Sequence, residues 1–163
     1  MAAAATLIPE RPKWTGLLLA LILFSSGCGS EPGSPYARHQ LKTAFKQAHR
    51  QEDAGALMDL YFLEGVRPED RALLRVAARN EVVLPIASIR FEAAGPEDRI
   101  DYILDGVRYE PSLPVSLKMV VSYRSEERLA AAYLVGVREG RCFLVTARPV
   151  PGSEAEGGSE KEI

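Results

Sequence analysis

Between residues 36 and 80 apolar side chains recur at three- and four-residue intervals; beyond residue 80 the interval drops to two. Leu41, Ala44, Phe45 and Ala48 share one helical face, Lys42, Lys46, Gln47 and Arg50 the other, and Ser34 and Pro35 suit a cap and a first turn. Asp53 opens a second short helix with Leu57, Met58, Leu60 and Tyr61 as its buried stripe and Gly65 as its stop. Pro68, followed by Glu69 and Asp70, opens a third helix to about Arg79, with Leu73, Val76 and Ala77 as its apolar side.

Strand spacing begins at Val82, Val83 and Leu84 and continues through Ala87, Ile89 and Phe91, with Ser88 and Arg90 alternating outward and Pro85 marking an edge or a bulge. Short strands follow at Ile100 to Leu104 and Val107 to Glu110, around Asp105 and Gly106. The clearest alternation is Val115, Leu117, Met119, Val121 and Tyr123 against Ser116, Lys118, Ser122 and Arg124. Leu129 to Val137 and Arg141 to Val150 form a terminal hairpin through Arg138, Glu139 and Gly140, whose glycine takes the left-handed position. Three helices before a meander of strands predict an α+β domain in which N-terminal helices pack on a curved, cone-like antiparallel sheet.

That order, with the segment Leu57, Met58, Asp59, Leu60, Tyr61 and the hairpin Tyr133 to Val145, resembles the nuclear transport factor two-like, cystatin-like superfamily over residues 36–150. The resemblance implies either a small ligand in the mouth of the cone or assembly through the sheet face, including a homodimer; the fold selects neither. Members resembling ketosteroid isomerases use an acidic base and tyrosines in an apolar pocket. Asp59, Tyr61, Asp101, Tyr102, Asp105 and Tyr109 are the candidates here, although none aligns with a catalytic position and aspartates beside a turn serve local hydrogen bonds.

The N-terminus carries a different pattern. Arg11 and Lys13 precede the apolar run Trp14 to Phe24, which gives way to Ser25, Ser26, Gly27 and Cys28. Eleven residues rise about 16 Å as a helix, short of the roughly 30 Å hydrocarbon core, so the run reads as a secretory signal over residues 1–27 rather than a span. Ser26, Gly27 and Cys28 after that run resemble the lipobox of bacterial lipoproteins, with Ser25 where leucine is usual. The resemblance implies a lipid on Cys28, an envelope location with the domain facing the periplasm, and, since Gly29 is not aspartate, the outer membrane. Cleavage without lipidation, releasing a soluble protein, is the alternative. Residues 28–35 have tether composition and residues 151–163 that of a disordered acidic tail.

Charge then narrows the classes. Residues 36–150 hold 17 Lys and Arg against 16 Asp and Glu, which excludes the basic surplus of a nucleic-acid interface. Cys28 and Cys142 are the only cysteines; with Cys28 lipidated, Cys142 reads as a small core hydrophobe, and a Cys28 to Cys142 disulfide belongs to the soluble alternative. His39 and His49, ten residues apart on one helix, lie about 15 Å apart along its axis, too far to share a metal, and are expected on the surface. No HExxH, GxSxG or glycine-rich phosphate loop occurs, and neither a metal nor a cofactor is expected.

Arg67, Arg71, Arg75 and Arg79 recur every four residues along the third helix, a possible contact for anionic head groups or an acidic partner and otherwise a solvated face. The expectation is a membrane-anchored envelope lipoprotein whose small domain binds a ligand or an envelope protein without chemistry of its own. The alternative is a lipid-anchored enzyme of isomerase or cyclase type with an Asp/Tyr pocket.

Overall fold

A computed structural model describes residues 33–124 and 129–152; the signal-like run, Cys28 and most of the acidic tail lie outside them. The domain is α+β, with helices α1 (Pro35–Gln51), α2 (Ala54–Met58) and α3 (Pro68–Glu81) ahead of the strands. Ser34 caps α1, its hydroxyl accepting the Ala37 N–H at 3.1 Å, and Asp53 caps α2 through the Ala56 N–H at 3.0 Å. Gly33 is buried, with a φ of +63°, and a β-carbon there would lie 2.7 Å from Cys142 Sγ and also meet Val137 and Leu117. Gly33, inside the stretch expected to be tether, therefore belongs to the folded domain.

Strands β1 (Ile86–Ala93), β4 (Val115–Tyr123), β5 (Ala130–Arg138) and β6 (Arg141–Leu144) form an antiparallel sheet in the order β1-β4-β5-β6. Strands β2 (Tyr102–Leu104), β3 (Val107–Pro111) and β7 (Ala147–Pro149) make a smaller sheet in the order β2-β3-β7. The terminal strand expected as one run is thus two, dividing at Val145 and Thr146 so that its second half serves the other sheet. Both hairpins turn on two left-handed residues: Asp105 and Gly106 at 51° and 77°, Glu139 and Gly140 at 52° and 75°. Positive φ at both positions matches the right-handed twist of the flanking strands.

The alternation in β4 sets the core. Leu117, Met119, Val121 and Tyr123 are buried and meet Leu41, Phe45 and Ala48 of α1, with Leu57 and Leu144 completing the packing. Pro85 precedes β1, whose register with β4 slips between Ile86 and Ser88, as the proline suggested. Val82 to Leu84, expected as strand, instead close α3: the Val82 N–H donates to Ala78 O and the Leu84 N–H to Glu81 O.

Two further expectations are corrected. Helix α2 stops at Met58 because β6 captures the backbone beyond it: the Phe62 N–H donates to Leu144 O at 2.9 Å and the Leu144 N–H to Leu60 O at 2.8 Å. On α3 the inward stripe is Arg71, Leu74, Ala78, Glu81 and Val82, leaving Leu73 and Val76 at 70% and 54% exposed. Arg71 turns inward to donate to Leu63 O and Val66 O, satisfying carbonyls of the connection that precedes the helix. That polar demand fixes the helix's rotation against its most apolar side.

Candidate functional site

The most concentrated chemistry in the domain lies where the C-terminal ends of α1 and α3 meet the inner face of β4 and β5. Glu81, the last residue of α3, extends its carboxylate beneath α1 with its side chain 17% exposed. Its Oε1 accepts the Tyr123 hydroxyl at 2.6 Å and the Tyr133 hydroxyl, and these two hydroxyls are 3.1 Å from each other. His49 Nε2 stands 3.6 Å from the same oxygen, an ion-pair separation rather than a hydrogen bond. The His49 ring is held on both sides: Nδ1 lies 3.2 Å from Leu84 O, and Phe45 stacks against it at 4.7 Å between centroids.

Burial and bonding oppose one another at Glu81. Burial alone raises the carboxyl pKa; His49 and the hydroxyls of Tyr123 and Tyr133 outweigh it and hold the group below its ordinary value. The same contacts act the other way on the phenols. Burial first, then Glu81, push Tyr133 and Tyr123 well above the usual tyrosine value, and Tyr61 rises for the same two reasons. The arrangement is a buried carboxylate whose main acceptor oxygen is already occupied by hydroxyls of its own fold.

Within this cluster His49 was expected at the surface. It is 8% exposed, because α1 reaches far enough for position 49 to follow Phe45 and Ala48 under the sheet. His39 is exposed as expected. The signal for Glu81 was present but faint: an acidic residue at the foot of a helix, four positions after Ala77 and beside the apolar Val82.

The isomerase-like candidates do not converge. Asp59 is exposed, and Asp101 pairs with Arg108 at 2.8 Å on the surface. Tyr102 stacks on Tyr109 at 5.1 Å in the small sheet, and Asp105 supplies a left-handed turn position. Tyr61 belongs with Glu81, away from that group. Cys142 is a free, buried thiol on β6 whose pKa burial raises, in keeping with a packing role.

The four arginines also separate. Arg67 pairs with Asp70 at 2.8 Å and lies over the Tyr109 ring, and Arg71 is spent on backbone carbonyls. Arg75 and Arg79 remain exposed. Among the described residues no group of three His, Cys, Asp or Glu side chains is placed to hold a metal ion, and no helix is long and apolar enough to cross a membrane. No protein-family model matches the chain, and no curated protein matches it.

Proposed function

We propose that the protein is an envelope lipoprotein, held to a membrane by lipid on Cys28, whose α+β domain binds or assembles rather than catalyses. The observation that carries the reading is how the space between α1 and the sheet is used. Phe45, Leu57, Met119 and Leu144 are fully buried in it, and the Glu81 carboxylate that reaches into it is engaged by two tyrosines and faced by a histidine. A base for enolate chemistry needs a free lone pair and a pKa near the working pH. Glu81 is held low with its oxygen occupied, which favours a stabilising role and gives little to an isomerase or cyclase.

The order of three helices and an antiparallel sheet supports the likeness to the nuclear transport factor two-like superfamily, where filled members assemble through exposed surfaces. Such surfaces exist here on the outer side of α3, at Leu73 and Val76, and on the edge strand β2, where Ile103 is 72% exposed. The outer membrane, with the domain in the periplasm, follows from Gly29 by the same lipoprotein resemblance. Mass spectrometry of natively expressed protein is the test: the mature chain is expected to begin at a triacylated Cys28 and to partition into detergent. An unmodified Cys28, or membrane association retained in Cys28→Ala, overturns the anchor.

A further inference from the structure

Beside the polar cluster, at the C-terminal end of α1, opens a cleft of about 470 Å³ that the reading above leaves unused. Its wall is the α3–β1 connection from Val82 to Ala87, and His49 lies in its lining. Lys46 and Arg50 come to it from α1 and Arg124 from the end of β4, so that two distant parts of the chain deliver three cations to one concavity, with Glu52 the only carboxylate in the lining. Among the described residues none of these three cations is in an ion pair, as Arg75 and Arg79 of α3 also are not; the cleft differs in bringing three of them together.

Like charges gathered on a concave surface repel one another, and a bound anion relieves that repulsion. His49 closes the inner side of the cleft: its Nδ1 lies 3.2 Å from Leu84 O of the wall, while its Nε2 faces Glu81, which is not in the lining. Arg124 is held in place through its backbone, its N–H donating to Pro85 O at 2.8 Å, so the two sides of the cleft are tied together. The volume falls within the range of small-molecule sites, about 300–1,000 Å³.

We propose that this cleft binds a compact oxyanion, a carboxylate or phosphate group, with Arg50 and Arg124 as the forked donors and Lys46 as the neutralising charge. The inference deepens the binding-domain reading and rests on it. Guanidinium forks match the two oxygens of a carboxylate or phosphate, and a lysine adds charge without geometric demand. The group reaches the cleft either on a free small molecule or on an anionic lipid head group of the membrane that carries the protein.

The full chain in neutral detergent, titrated with inorganic phosphate in a calorimeter, tests the proposal. Saturable one-site binding is expected, weakened about tenfold or more in the Arg50→Gln/Arg124→Gln double variant and unchanged in Arg75→Gln, which removes an exposed arginine of α3. A second arm compares the thermal midpoint in phosphatidylcholine vesicles with and without phosphatidylglycerol. A midpoint raised only by phosphatidylglycerol, and only with Arg50 and Arg124 present, assigns the oxyanion to the lipid head group. Binding of neither probe, or equal binding by the double variant, overturns the site. That failure leaves the lipid on Cys28 untouched, so the two readings fall separately.

Discussion

Tyr123 and Glu81, 42 positions apart in the chain, are joined by a 2.6 Å hydrogen bond that ties the foot of α3 to the central strand β4. Replacing Glu81 by alanine leaves the Tyr123 and Tyr133 hydroxyls without their carboxylate acceptor and removes the group that faces His49 Nε2. The expected loss is about 3 kcal/mol in denaturant titration, the scale of a hydrogen bond to a charged group together with the polar atoms it strands. Glu81→Gln keeps one acceptor and is expected to lose less. An alanine variant as stable as the parent means that the cluster holds nothing together.

The same cluster sets a pH profile. Glu81 has a folded pKa below its ordinary 4.5, so its contribution is full above about pH 4.5 and disappears as pH falls through the folded value. Tyr123 and Tyr133 are shifted the other way, above the ordinary 10.0, so their contribution is full below about pH 10 and is lost as pH rises beyond it. Thermal midpoints across pH should show a plateau with an acid and an alkaline limb. Tyr133→Phe should shallow the alkaline limb, and Glu81→Gln the acid one. An unchanged alkaline limb in Tyr133→Phe removes that tyrosine from the account.

Phe45 is fully buried between His49 and Tyr133, and its truncation to alanine is expected to cost about 3–5 kcal/mol. Lys118 on the outer face of β4 gives the contrast. It pairs with Asp98 at 2.8 Å, and that aspartate also accepts the Gly95 N–H, so the lysine pins the loop after β1 rather than the core. Lys118→Ala should leave global unfolding near the parent while amide exchange in residues 94–101 quickens. Uniform exchange in both proteins would show that the loop is held by something else.

How much of this the sequence declared depended on the type of signal. The facing of β4 was legible because its period of two admits one register, and the caps at Ser34 and Asp53 were legible because each is a local bond. The facing of α3 was not. Leu73 and Val76 marked one side, but the carbonyls of Leu63 and Val66 take the Arg71 guanidinium inward, and no periodicity reports such a bond. The cluster at Glu81 stayed hidden for a related reason: its members come from four elements, and each alone is an ordinary residue at an ordinary place. Nor does a count of cysteines or charges show that Gly33 packs on Cys142 and belongs to the fold.

The last expectation separates sterics from backbone conformation at two glycines of the terminal hairpin. A β-carbon at Gly136 would lie 2.8 Å from Leu113 Cβ and from Pro114 O, atoms that cannot swing aside, and 3.1 Å from Val145 Cγ2. At Gly140 the space is empty, but φ is +75°, a conformation that side chains disfavour. Gly136→Ala should therefore cost about 1–3 kcal/mol through overpacking, and Gly140→Ala about 1 kcal/mol through conformation alone. Asparagine, which tolerates the left-handed region, should recover part of the loss at 140 and make matters worse at 136. Denaturant titrations of the four variants distinguish the causes. If asparagine rescues position 136, β5 and the segment from Leu113 to Pro114 do not pack as described.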